Sequence, residues 1–300
     1  MINIKSQMIE IKNEEGFEYL SRIKNNSIDL VLTDPPYITS TGSGMNTLYK
    51  KVKENEEKGI EFIKTEEEWE CVKSRYKEKD IPESVKKSNY MHYGNIYGKK
   101  YAVKTDYGDW DKDFNMDILD KFVGEYYKKL RKGGTIIIFF DLWKITALKD
   151  ILEKHKFKQL RFIEWIKTNP QPLNSKTNYL TNCREIAILA VKDGKPTFNS
   201  SYDNAIYNYP LQGGKNRFHP TQKSLPLFEA IIKKHSNEGD TVLDTFLGSG
   251  TTALACINTN RNFKGCELNK EYCQQMVDQL GLKIDLEDNS DTEFIIEEDE

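Results

Sequence analysis

Hydrophobic positions in this chain fall into short unbroken runs separated by stretches of helical spacing. Ile28-Asp29-Leu30-Val31-Leu32-Thr33 reads as a buried strand, and Thr135 to Phe140 as a strand covered on both faces. Further strands are expected around Leu160 to Ile166, Glu185 to Val191, Thr241 to Asp244 and Asn262 to Cys266. Between them, apolar residues recur every three or four positions. Phe17, Leu20 and Ile23 predict one helix, and Leu119, Phe122, Val123, Tyr126, Tyr127 and Leu130 a second that ends at Gly133-Gly134. Ile145, Leu148, Ile151 and Leu152 predict a third, and Leu225, Phe228, Ile231 and Ile232 a fourth. Helices alternating with strands are the mark of an α/β protein whose sheet is covered on both sides.

Three segments break this pattern. Residues 38–105 are rich in Gly, Ser, Lys, Glu and Tyr and hold no run fit for a core strand, so they are read as an insertion. Lys86, Lys87, Lys99, Lys100 and Lys104 alternate there with Tyr90, His92, Tyr93, Tyr97 and Tyr101, a mixture that can track phosphates and stack bases. The same residues could equally be a solvated excursion with its aromatics tucked inward. Residues 192–218 form a shorter polar excursion with Tyr202, Tyr207, Tyr209, Gly213-Gly214, Lys215 and Arg217, and residues 284–300 an acidic tail expected to be disordered. The catalytic domain is then assigned to 1–37 and 106–283.

Charge modifies this picture slightly. The formal net charge is −3, but the tail holds nine acidic residues and no basic one. The rest carries 44 basic against 38 acidic residues, a mild +6 that permits a nucleic-acid partner. No apolar run is long enough for a bilayer and Met1-Ile2-Asn3-Ile4-Lys5 has no signal-peptide character, so a cytoplasmic protein without membrane contact is expected. Cys71, Cys183, Cys256, Cys266 and Cys273 show no paired short spacing, which argues against disulfides and a zinc site.

Two places carry candidate chemistry. The first strand runs into Asp34-Pro35-Pro36-Tyr37, where adjacent prolines fix φ and remove two backbone donors. A carboxylate, two proline carbonyls and an aromatic ring are thereby held as an acceptor-rich pocket with a flat stacking surface, unless the strand simply stops at Pro-Pro. The second is Asp244-Thr245-Phe246-Leu247-Gly248-Ser249-Gly250-Thr251, where a strand enters a Gly-x-Gly turn at the head of a helix. Such a turn brings backbone amides and the positive helix end to a ligand. Glu267, at the end of the next strand, can accept from both ribose hydroxyls of an adenosine-containing cofactor. Neither a third glycine nor a Gly-Lys-Ser/Thr follows, so a nucleoside without polyphosphate fits best, and S-adenosylmethionine is the common one.

Together these residues resemble the amino-group DNA methyltransferases, in the permuted class whose catalytic motif precedes its cofactor motif. The matching pieces are Asp34 to Tyr37, Gly108-Asp109-Trp110-Asp111, His219-Pro220-Thr221-Gln222-Lys223-Ser224, and Asp244 to Thr252, within a span from Ile28 to Glu267. The resemblance implies a Rossmann-like, doubly wound, mostly parallel sheet with polar insertions. It implies that Asp244, Phe246, Gly248, Ser249, Gly250 and Thr251 hold the methionine part of S-adenosylmethionine, that Glu267 holds its ribose, and that Lys223 closes the pocket from the other side. The class often carries a Gly-Asp pair upstream of the catalytic strand; here that region reads Lys12-Asn13-Glu14-Glu15-Gly16, with Glu15 as the substitute. Recognition of double-stranded DNA is divided between residues 38–105, as a DNA-contact or lid region, and residues 192–218. A second copy of the chain and a cognate restriction nuclease are the other partners the resemblance brings into view.

The expected reaction is methylation of the N6 amine of an adenine flipped out of the duplex, stacked on Tyr37 and hydrogen-bonded to Asp34 and a proline carbonyl. Phe246 could face the sulfonium through a cation–π contact. Asp rather than Ser at position 34 favours adenine over the N4 amine of cytosine in this class. N4-cytosine methylation, methylation of RNA or of a protein amide, and a catalytically silent DNA-binding protein are the alternatives.

Overall fold

The computed structural model describes residues 7–37, 44–76, 80–99, 114–170, 183–211, 222–280 and 293–296. Gly108 to Asp111, His219 to Thr221, Lys100, Tyr101, Lys104, Gly213, Gly214, Lys215 and Arg217 lie outside them. The chain divides into two compact units, Thr39–Asp113 and the remainder, Met1–Ile38 with Phe114–Glu300.

The larger unit is built on one sheet. Its strands are β1 (Gln7–Lys12), β2 (Ile28–Thr33), β3 (Leu130–Phe140), β4 (Lys158–Lys167), β5 (Arg184–Val191), β6 (Ile206–Tyr209), β7 (Thr241–Asp244), β8 (Asn262–Cys266) and β9 (Glu293–Ile296). They lie in the order β6-β4-β5-β3-β2-β7-β8-β1-β9. The run β3-β2-β7-β8-β1 is parallel throughout, whereas β5 and β9 run against their neighbours. The sheet is therefore mixed but mostly parallel.

Alternation along the central strands decides which helices cover which face. Leu30, Leu32, Ile137 and Phe139 point to a core completed by α7 (Leu225–His235), α8 (Thr251–Asn258) and α9 (Lys270–Leu280). Ile28, Val31, Ile136, Ile138 and Phe140 point the other way, onto α1 (Gly16–Arg22), α5 (Met116–Lys129) and α6 (Ile145–Lys154). Because successive side chains of a strand alternate, an unbroken apolar run serves two cores at once. This is the doubly wound architecture with a helical layer on each side.

Several boundaries differ from the sequence reading. The α5 helix ends before Gly133-Gly134, because Leu130 turns extended and pairs with Ile28. The glycines lie inside β3 instead, at a register shift, where Gly133 has φ 76° and a Cβ would fall 2.5 Å from the Lys195 carbonyl oxygen. Strand β1 had no counterpart in the pattern, and β6 lies within the excursion 192–218, pairing with the edge of β4. The expectation of a disordered tail over 284–300 does not hold for Glu293–Ile296, which pairs antiparallel with β1. There the apolar run Phe294-Ile295-Ile296 interrupts the acids.

The smaller unit holds α2 (Gly44–Glu57), α3 (Glu66–Val72) and α4 (Glu83–Tyr93). Thr65 caps α3 in a reciprocal box with Glu68. Trp69, Tyr90, Met91 and Ile96 form its own core, with Tyr76 and Tyr97 packed against them. Tyr90 is thus a core residue and not a stacking surface, while Lys87 pairs with Glu66 and Lys99 with Glu56.

Candidate active site

In the parallel part of the sheet, the connection from β2 leads through α5 to β3, and the one from β7 leads through α8 to β8, in opposite directions. A crevice opens where such connections diverge, at the C-terminal ends of the strands. Asp34-Pro35-Pro36-Tyr37 follows β2 and the glycine loop follows β7, so both candidate motifs flank that crevice. They are also bonded to each other. Thr33 Oγ1 donates to Asp244 Oδ1 at 2.7 Å, inside the core.

Asp244 organises the cofactor-side loop. Besides Thr33, its carboxylate accepts from the Phe246 amide at 3.1 Å and from Thr252 Oγ1 at 2.6 Å. Burial pushes its carboxyl up, and these bonds oppose the shift. Phe246 packs on Phe122 and Phe114, with ring centroids 4.8 and 5.4 Å away. Gly248 and Gly250 both have positive φ, 53° and 75°, and Gly250 caps α8 without any side-chain bond to its first amides. Ser249 Oγ and Thr251 Oγ1 lie 3.0 Å apart. Glu267 is buried beside the turn, where its carboxylate accepts from the Gly248 amide at 2.7 Å and the Asn269 amide at 2.8 Å. A helix start with no side-chain cap, a glycine turn and a buried carboxylate with further lone pairs suit the methionine and ribose parts of S-adenosylmethionine. Glu15 is placed otherwise: its side chain caps α1, accepting from the Phe17 and Glu18 amides.

The catalytic-side loop holds the main surprise. Lys223 is only 7% exposed, and its ammonium lies 2.8 Å from Asp34 Oδ2 and 2.5 Å from Glu185 Oε2. It also sits 3.4 Å from the Tyr37 hydroxyl and over the rings of Tyr37 and Phe139 at 5.3 and 5.4 Å. Lys223 is thus a partner of the Asp34-Pro35-Pro36-Tyr37 loop. Lys167 grips Glu185 from the other side, with Nζ 2.6 Å from Oε1. Four charges of alternating sign, Lys167, Glu185, Lys223 and Asp34, run from β4 through β5 to the catalytic loop. Sequence reading missed Glu185 and Lys167; the charged pair Arg184-Glu185 opening an otherwise apolar strand is the only trace they leave.

Electrostatics at this end are set by burial. Burial raises the Asp34 carboxyl, Lys223 pulls it back and Glu185 pushes it up again, leaving it at about 6. Burial alone would lower Lys223, but Asp34 and Glu185 outweigh it and keep the ammonium charged. Burial likewise raises Glu185, and the two lysines overcome it and hold it down at about 2. Asp34 Oδ1, Gln222 Oε1 and Ser224 Oγ are buried with no hydrogen-bond partner. A buried acceptor left open in this way costs about 1–3 kcal/mol and is worth keeping only if something else fills it. Among the described residues, no group of His, Cys, Asp and Glu could hold a metal, and no helix is long and apolar enough to cross a membrane.

Known proteins are similar to this chain in sequence and fold. A family model of N6/N4 DNA methylases matches residues 28–278. The type II methyltransferase M2.DpnII of Streptococcus pneumoniae is 29% identical over 293 residues, covering 89% of this chain and 87% of its own. The crystal structure of M1.HpyAVI in complex with SAM is 29% identical with a TM-score of 0.57, over 91% of this chain and 100% of that one. The fold alone is shared with the cytosine-N4-specific PvuII DNA methyltransferase, at 15% identity and a TM-score of 0.59 over 94% and 87% of the two chains. The chain belongs to the N6/N4 DNA methylase family, and is a DNA methyltransferase that uses S-adenosylmethionine.

Proposed function

We propose that the protein methylates the N6 amine of adenine in double-stranded DNA, with Asp34 as the acceptor that aligns the amine. The observation that carries this reading is the buried, unpartnered Oδ1 of Asp34 beside an Oδ2 already covered by Lys223. One oxygen is anchored and the other is open to a donor.

S-adenosylmethionine, when bound, supplies an electrophilic methyl group on a sulfonium. An exocyclic amine is a weak nucleophile because its lone pair is delocalised into the ring. Asp34 Oδ1, and the carbonyl oxygen of Pro35 or Pro36, accept its two N–H bonds and so turn the lone pair out of the ring plane. Tyr37 offers its ring to the base, which must leave the duplex to reach this depth. The nitrogen then loses one N–H proton, and Asp34 Oδ1 is placed to receive it. Phe246, Gly248, Ser249, Gly250, Thr251 and Glu267 hold the cofactor, with Asp244 shaping their loop from within. Aspartate at position 34, where serine is the alternative in this class, supports adenine over cytosine.

Residues 38–105 and 192–218 are assigned to DNA contact. A second copy of the chain and a cognate nuclease remain partners to test, the latter supported by relatives that are type II methyltransferases. Transfer of a labelled methyl group to duplex DNA, RNA or protein, with Asp34→Ala as control, tests the reading. Label in DNA that vanishes with Asp34→Ala supports it, and label in RNA or protein alone contradicts it.

A further inference from the structure

We infer that Glu185, clamped by Lys167, is a positioning residue for methyl transfer: it fixes Lys223 on one oxygen of Asp34 and so keeps the other open for the target amine. The inference rests on the reading of Asp34 as the amine acceptor.

Three observations support it. Lys223 carries a long, rotatable side chain, and on its own an ammonium beside a carboxylate can bridge both oxygens. Here it does not, because Glu185 Oε2 at 2.5 Å competes for it with Asp34 Oδ2 at 2.8 Å. Second, Glu185 is itself immobilised. It is the second residue of β5, pairs across to Trp165 of β4, and takes Lys167 on its other oxygen at 2.6 Å. Third, Asp34, Glu185, Lys167 and Lys223 are all at most about a fifth exposed at their side chains, where charges are little screened and a lost partner is felt. A purely structural tie between β4 and β5 would require only the Lys167–Glu185 pair; the second oxygen of Glu185 is spent on the catalytic loop.

The groups facing Asp34 are Lys223 ahead of α7, Glu185 of β5, Tyr37 of its own loop and Asp244 at the end of β7. Removing the Glu185 charge takes away a neighbour that raises Asp34, so the acid limb of the reaction moves to lower pH even as the rate falls. That combination separates positioning from folding.

The test compares the full-length wild type, Glu185→Gln, Lys167→Gln and Asp34→Ala. Single-turnover methyl transfer to unmethylated duplex DNA is followed against pH, alongside affinities for S-adenosylmethionine and DNA. Glu185→Gln is expected to slow transfer at least tenfold with both affinities within twofold, and to shift the acid limb downward. A wild-type rate, or a loss matched by lost binding with the limb unmoved, overturns the inference. Should Glu185→Gln fail to fold, Lys167→Gln decides: at least threefold slower transfer at unchanged affinities upholds it, and a wild-type rate overturns it. Asp34→Ala keeps the two readings apart. If it stays active, the assignment of Asp34 itself fails; if it is inactive while Glu185→Gln is normal, only the positioning role fails.

Discussion

Lys223 Nζ lies 2.8 Å from Asp34 Oδ2, so a lysine far along the chain is a direct partner of the carboxylate proposed to align the target amine. The resemblance placed that lysine at the cofactor, and the two assignments predict different defects. Lys223→Met removes the cation that lowers Asp34, so its carboxyl titrates at higher pH. We expect transfer at pH 7 to fall roughly 10- to 100-fold and to recover partly as pH rises, with affinity for S-adenosylmethionine within about threefold. A large loss of cofactor affinity, read by calorimetric titration, would instead restore Lys223 to the cofactor pocket.

The wild-type pH profile follows from the same pair. Asp34 accepts strongly from the amine and can take up its proton only when ionised, and it titrates at about 6. At saturating substrates, single-turnover transfer should be level above that pH and fall by about tenfold per unit well below it. A profile flat down to about pH 4.5 would show that an ionised Asp34 is not required.

Gly250 has φ 75°, and a Cβ there would run into the Met276 side chain of α9. Gly250→Ala therefore adds backbone strain of about 1–2 kcal/mol to a steric conflict at the turn. Affinity for S-adenosylmethionine should drop at least about tenfold while DNA affinity is kept. Unchanged cofactor binding would remove this turn from the cofactor site.

Asp244 ties β2, α8 and the glycine loop through Thr33, Thr252 and the Phe246 amide. Asp244→Ala leaves two buried hydroxyls and the part-buried Phe246 amide without their acceptor, a loss of about 3 kcal/mol or more. A melting temperature lower by roughly 6–12 °C is expected, measured by calorimetry, together with weaker cofactor binding.

How much of this was legible in the sequence depends on the range of the interaction involved. Leu30 to Leu32 and Ile136 to Phe140 announce buried strands because both of their faces are apolar, and that signal is local. The Asp34 and Gly248 to Gly250 turns are equally local, since proline and glycine dictate backbone geometry by themselves. Glu185 and Lys167 could not be found in this way. Their role exists only where β4 and β5 pair and Lys223 returns from the approach to α7, contacts that no local pattern encodes. Glu15 is a different lesson: the resemblance offered it as a stand-in for an upstream acid of the class, and the local role of one of its oxygens, capping α1, lay in the sequence beside it.

Trp143 is 90% exposed and follows Phe140, whose ring lies 6.1 Å from that of Tyr37. A large apolar ring left in solvent is suited to stacking on a base. Trp143→Ala should weaken duplex DNA binding by about 1–3 kcal/mol, roughly 5- to 150-fold, with melting temperature and cofactor affinity unchanged. Equal DNA affinity in titrations of the two proteins would exclude the contact.

The most direct measurement is chemical. Duplex DNA incubated with the protein and S-adenosylmethionine is digested to nucleosides, and the methylated species are separated and weighed by mass spectrometry. The account predicts N6-methyladenine, lost with Asp34→Ala; N4-methylcytosine without N6-methyladenine would contradict it.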